Sequence, residues 1–258
     1  MPEWNIIDDN QLIIATCEAL LKDPDLDPKV LSDYFVSYFA KGTIRGIGAS
    51  TLKAFRELQL GVDWSQSGRR GEYAAGNGAA MRIAPIAFFE NIPRERIEEI
   101  CSITHKNVEA YIGALAVLVS IRIIKSKIWK DSHDLLQLVA NELPDSRVRD
   151  RVMELSVADS QISIQQVAVM YGNDGYVVNS VPFCIFSASK IKTIPIGHIF
   201  DEIIESGRDT DTNCSITGQI CGAHLGITKV PVLFLEKLQK LPEYEWFSGI
   251  VELLAHKI

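Results

Sequence analysis

Apolar residues recur at three- and four-residue spacing along almost the whole chain: Ile13, Cys17, Leu20 and Leu21; Leu31, Tyr34, Phe35, Tyr38 and Phe39; Leu52, Phe55 and Leu58. That spacing gathers apolar side chains on one face of an α-helix. The alternation that marks a half-buried strand is nearly absent. Asp27-Pro28 and Ser50 suit helix starts, and Gly42, Gly61 and Gly172 suit C-terminal caps. The same pattern predicts further helices over 93–107, 108–127, 132–143, 145–157, 161–171, 181–192, 195–206, 211–226, 231–240 and 243–257. The fold class expected is therefore all-α. No Ser/Gly-rich linker, low-complexity tract or repeat divides the chain, so residues 1–258 read as a single domain. The least helical stretches, 61–78, 172–180 and 206–211, are rich in glycine, asparagine and aspartate, and ligand contacts belong there.

Composition narrows the function classes. The 258 residues are 47% hydrophobic and 23% charged, enough to bury the core of one large domain. Lysine plus arginine number 26 against 33 acidic residues, and the net charge of −7 works against undirected binding to nucleic acid or an anionic membrane. A soluble partner or a small ligand is expected instead. The longest strongly apolar stretch, Tyr111 to Ile121, stops at Arg122, short of the roughly 18 residues of a membrane span, and reads as a buried helix. Met1-Pro2-Glu3-Trp4 carries an acid where a signal peptide carries bases. The five cysteines are scattered and form no Cys-x-x-Cys pair, so a reducing cytoplasm is expected, with neither a disulfide framework nor a zinc site.

Two acidic clusters open helices far apart in the chain, Asp8-Asp9 and Asp209-Thr210-Asp211-Thr212. Each admits two readings. Aspartate and threonine at a helix start cap orphan N–H groups and complement the dipole. Closely spaced carboxylates with a hydroxyl are also the oxygen donors that Mg²⁺ and similar ions prefer. If the two starts converge, repulsion among four carboxylates demands cations, and two divalent ions match their charge. Gly76-Asn77-Gly78-Ala79-Ala80-Met81-Arg82 is a glycine turn running into a helical apolar pattern, either simple loop closure or a backbone cradle for an anion. Gly46-Ile47-Gly48-Ala49-Ser50-Thr51 has the same ambiguity. Thr104-His105 offers an imidazole near a helix end. Glycines 218, 222 and 226, each costing about 1 kcal/mol inside a helix, imply a close helix-to-helix contact.

Taken in order, the Gly-Asn-Gly-x-x-Met-Arg turn, Thr104-His105 and Asp209-Thr210-Asp211-Thr212-Asn213 with its glycine-spaced helix resemble the ADP-ribosylglycohydrolase family. Trp4 to Leu21 is similar to the family segment bearing a Thr-Asp-Asp-Thr motif, and Gly172 to Phe183 to a loop at the adenosine end of the ligand. The resemblance spans residues 4–242. It implies an orthogonal all-α fold, two divalent cations (Mg²⁺ or Mn²⁺), and a cleft for ADP-ribose. The reaction it implies is cleavage between the ribose and a protein side chain or a small conjugate. On this resemblance Asp8, Asp9, Asp209, Asp211 and Thr212 are metal ligands, with Asp9 and Asp211 the catalytic carboxylates. Gly76, Asn77, Gly78, Ala79 and Ala80 line the diphosphate and ribose, and His105 and Tyr176 add substrate contacts. The partner is thus an ADP-ribosylated protein or an ADP-ribose-containing small molecule, with no nucleic acid or membrane involved. The sequence departs from the family in three places. Ile7 and Asn10 stand where the family has hydroxyl residues, Arg208 replaces a glycine, and a family helix with a Gly-Asp motif, upstream of this first motif, has no counterpart in residues 1–258. Loss of an oxygen at Ile7 loosens one cation site, and leaves open a non-catalytic ADP-ribose or nucleotide binder, or a structural relative, as the alternative.

Overall fold

The apolar run around Tyr111–Ile121 lies in the central helix of the fold. The computed structural model describes residues 4–130, 134–159 and 161–258. In it α5 (Val108–Lys125) begins where the Asn107 side chain accepts from the N–H groups of Glu109 and Ala110, and it is buried on nearly every side. Around it pack α4 (Arg94–Ser102), α6 (Asp134–Glu142), α7 (Arg147–Ser156), α9 (Val177–Ser189) and α11 (Thr210–Leu225). Helices α1 (Asp8–Lys22), α2 (Pro28–Ala40) and α3 (Ala49–Gln59) pack in sequence on one side; α8 (Ile164–Tyr171), α10 (Ile196–Glu205), α12 (Val232–Gln239) and α13 (Tyr244–Ala255) complete the all-α bundle. One apolar core runs from Leu12 on α1 to Leu254 on α13. No helix among the described residues is long and apolar enough to cross a membrane.

Local chemistry explains most boundaries. Asp27 caps α2 by accepting from Lys29 N–H, with Pro28 in the first turn. Ser163 and Gln166 form a reciprocal capping box on α8, which ends at Gly172 with φ of +84°. The start of the helix predicted over 132–143 falls partly at residues 132 and 133, outside the described residues.

Four expectations change. The helix predicted over 93–107 stops at Ser102, and His105–Lys106 (β2) pairs in parallel with Arg69–Arg70 (β1). Gly68 makes this possible: its φ is +88°, and a Cβ there would stand 2.8 Å from the Ile103 carbonyl oxygen. The apolar pattern after Gly76 forms two short 3₁₀ segments, Asn77–Arg82 and Ala84–Phe88, because Pro85 has no N–H with which to carry an α-helix through. The helix predicted from 181 starts at Val177, ahead of Pro182, where Asp174 Oδ1 accepts from Tyr176 N–H and turns the chain. The close helix contact expected at glycines 218, 222 and 226 lies elsewhere. Gly222 and Gly226 have open space where a Cβ would go, and Gly218 meets Phe200 at an ordinary 3.4 Å. The close approach is at Gly113 of α5, where a Cβ would overlap Val177 Cγ2 of α9.

Candidate active site

Neither α1 nor α11 has a side-chain cap at its N-cap residue. The residue before α1 is Ile7, extended and apolar, which leaves Asp8 and Asp9 inside the first turn. Asp8 N–H donates to the Arg45 carbonyl at 2.8 Å, and the 43–45 loop is tied to α1 through Gln11, which bonds Thr43 O and Arg45 N–H. Gly46, at φ +85°, brings the chain so close to Asp8 that a Cβ would stand 3.1 Å from its Oδ1. Asp209 precedes α11 without making a side-chain cap; its Oδ2 accepts from Asn77 Nδ2 at 2.7 Å. Asp211 Oδ1 accepts from the N–H of Thr212 at 3.0 Å.

The two clusters converge, and their acidity records it. Burial pushes the Asp9 carboxyl up to about 7, followed by the negative charges of Asp8, Asp211 and Asp209, against a hydrogen bond from Ser215. Asp8 is raised by burial and then by Asp211, and Asp209 by burial and then by Asp211, with the Asn77 bond opposing. Asp9 Oδ1 is buried with no hydrogen-bond partner. A buried carboxylate oxygen left unpaired is costly unless a cation or proton meets it. The donor set of four carboxylates and the Thr212 hydroxyl fits a hard divalent ion. As the side chains stand, no three acidic, histidine or cysteine groups among the described residues are gathered closely enough to hold one.

Asp8, Asp209, Asp211 and Thr212 open onto a cleft of about 530 Å³, and Gly76, Asn77, Gly78 and His105 form another part of its wall. Asp9 does not line the cleft and is only 1% exposed. Ala79 and Ala80 turn inward and are fully buried in the core, away from the ligand face expected for them. Tyr176 does not line the cleft; it bridges Gly76 through the backbone, with the Arg147 guanidinium 5.7 Å from its ring. The turn is laced to the 172–180 loop by Asn77 N–H to Gly175 O at 3.2 Å and by Val177 N–H to Ala75 O at 2.9 Å. The Asn77 N–H is therefore engaged, which removes one donor from the anion cradle expected of this turn. The second glycine turn contributes more: Gly48, Ala49, Ser50 and Thr51, at the start of α3, line the same cleft. A helix start presents N–H groups and a positive dipole end to an anion.

Small residues in the turn make room for an imidazole. A Cβ on Gly78 would stand 2.8 Å from His105 Cε1, and one on Gly76 would stand 3.2 Å from His105 Nε2. His105 is held by Nδ1, 2.8 Å from Thr104 Oγ1, and burial followed by the charges of Arg82 and Arg69 lowers its pKa to about 3. It is a neutral ring at physiological pH. Arg82, the last residue of the motif, is an internal clamp. It donates to Gly78 O, Ile100 O and Thr104 Oγ1, and its guanidinium lies 5.0 Å from the Phe35 ring centre.

The Asp209 loop is shaped by two consecutive left-handed residues, Gly207 at φ +68° and Arg208 at φ +65°. For arginine that conformation costs about 1–2 kcal/mol. The Gly207 carbonyl accepts from Asn173 Nδ2 at 2.9 Å, and Asn213 Nδ2 donates to Asn173 O at 2.7 Å, so Asn173 links the loop to α11.

Sequence comparison agrees with this architecture. The sequence pattern of the ADP-ribosylglycohydrolase family matches residues 2–258. The chain is 27% identical over 230 residues to a protein of Archaeoglobus fulgidus, covering 86% of this chain and 71% of that one. It is 27% identical over 265 residues to ADP-ribosylhydrolase ARH3 of Danio rerio, covering 87% and 71% of the two chains. To ADP-ribosylhydrolase ARH3 of Homo sapiens it is 23% identical over 262 residues, covering 87% and 72%. With the family pattern matched from Pro2 to the last residue, the chain belongs to the ADP-ribosylglycohydrolase family.

Proposed function

We propose that the protein is a Mg²⁺- or Mn²⁺-dependent hydrolase that releases ADP-ribose from a protein side chain or a small conjugate. The observation that carries this reading is the convergence of Asp8, Asp9, Asp209 and Asp211, with Asp9 Oδ1 buried and unpaired behind the cleft. Asp8, Asp9, Asp209, Asp211 and Thr212 would hold the cation, which when bound offsets their mutual repulsion and supplies Lewis-acid stabilisation to substrate oxygens. The remaining work falls to the chain itself. The start of α3 and the small-residue face of Gly76 and Gly78 receive the diphosphate, and neutral His105 backs that face without adding charge. Asp211 opens on the cleft and is the carboxylate assigned to proton transfer; Asp9, buried and off the cleft wall, serves the cation alone. Holding the sugar in one orientation beside these groups does most of the rest.

A second reading, an ADP-ribose binder without turnover, is favoured by Ile7, whose side chain has no oxygen to give. Titration calorimetry with Mg²⁺ on the parent, Ile7→Thr and the Asp209→Asn, Asp211→Asn double variant tests the metal reading. Ile7→Thr should bind more tightly, and the double variant should lose binding. Equal affinity in the parent and the double variant would make these aspartates structural.

A further inference from the structure

Arg208 departs from the glycine pair that the family resemblance leads one to expect before the aspartates, and its backbone takes the left-handed conformation that suits glycine better. Something other than backbone comfort keeps an arginine there. Among the described residues that line the cleft, it is the one with a permanent positive charge, against Asp8, Asp174, Asp209 and Asp211. Its ion pair is with Asp174, at 3.9 Å, and the two side chains are 64% and 42% exposed, so the guanidinium is loosely held and can turn to another anion at little cost. Asp174 adjoins Gly175, whose carbonyl accepts from Asn77 N–H. The loose ion pair thus lies at the rim next to the glycine turn. The pinned Gly207 carbonyl fixes where its backbone stands.

The geometry points to Arg208 as a specificity residue that reads the diphosphate of the ligand, so that the cleft selects phosphate-bearing adenine nucleotides over uncharged nucleosides or ribosides. The inference rests on the ADP-ribose reading above. A diphosphate brings negative charge into a cleft already walled by carboxylates, and a forked, always-charged guanidinium is the side chain suited to receive it.

The test measures binding of ADP-ribose, ADP and adenosine to the intact protein in Mg²⁺, comparing the parent with Arg208→Gly, Arg208→Gln and Arg208→Lys. Arg208→Gly also relieves the left-handed strain, so loss of fold does not confuse the result. ADP-ribose and ADP should weaken roughly tenfold in the glycine and glutamine variants and less in the lysine variant, with a shallower salt dependence and unchanged adenosine affinity. If Arg208→Gly binds ADP-ribose and ADP as the parent does, or if adenosine weakens equally, the inference is overturned. Arg208-dependent binding of ADP without any binding of ADP-ribose would sustain the inference and sink the proposed substrate. Binding of neither nucleotide to the parent would overturn both.

Discussion

Asn77 and Asp209, 132 positions apart in sequence, are joined by a 2.7 Å hydrogen bond from Nδ2 to Oδ2. It makes one unit of the glycine turn and the start of α11, so the two walls of the cleft are set relative to each other before any ligand arrives. It also favours the ionised form of Asp209 against burial and the Asp211 charge. A hydrogen bond to a charged group contributes about 1.5–3 kcal/mol. Asn77→Ala should therefore weaken Mg²⁺ binding roughly tenfold, as read by calorimetry at constant pH. Affinity unchanged from the parent would show that the bond does not shape the proposed metal site.

Asp9 gives the metal-free protein a distinctive pH dependence. Its carboxyl is raised to about 7 in the fold, by burial first and then by Asp8 and Asp211, whereas an unfolded aspartate titrates near roughly 3.9. The folded state therefore holds the proton more tightly, and the associated stability is full below about pH 4 and lost as pH rises to about 7. Asp8 and Asp209, also raised, act in the same direction. In chelator the thermal midpoint should fall by roughly 5 °C or more from pH 5 to pH 8. Asp9→Asn should flatten that slope and melt higher than the parent at pH 8, while excess Mg²⁺ should restore the parent. A parent and variant with parallel pH profiles would contradict the assignment.

Two glycines in helices have opposite meanings. Gly113 has Val177 where its Cβ would be, so Gly113→Ala forces α5 from α9 and should cost roughly 1–3 kcal/mol. Gly222 has open space there, so Gly222→Ala should gain up to about 1 kcal/mol from helix propensity. Denaturant unfolding of both variants decides it; destabilisation of equal size would mean that α11 also depends on a bare backbone.

What the sequence revealed followed physical range. Helical periodicity reports neighbours three and four residues apart, and it locates Ile13–Leu21 and Leu31–Phe39 by their apolar faces, while the α5 run shows as a continuous apolar stretch. It overran Ser102 because the pairing of His105 with Arg69 is a contact between distant segments. Gly113 passed unnoticed because a helix buried all round has no polar face against which a small residue stands out. The aspartates were visible as two clusters, but their meeting was legible only through family resemblance, since nothing local in Asp8-Asp9 refers to Asp211. The Gly46–Thr51 turn is ambiguous in sequence alone, because its part in the cleft depends on the close approach of Gly46 to Asp8.

The most direct measurement follows release of ADP-ribose from serine- and arginine-linked peptides and from a small conjugate. It compares the parent with Asp211→Asn, in Mg²⁺ and in excess chelator. The parent should release ADP-ribose in Mg²⁺, with release abolished by chelator and reduced at least a hundredfold by Asp211→Asn, in the range of about 10²–10⁴ that general acid–base groups contribute. Release that continues unchanged in chelator, or a parent that binds ADP-ribose and releases none from any of these conjugates, would contradict the proposed hydrolase.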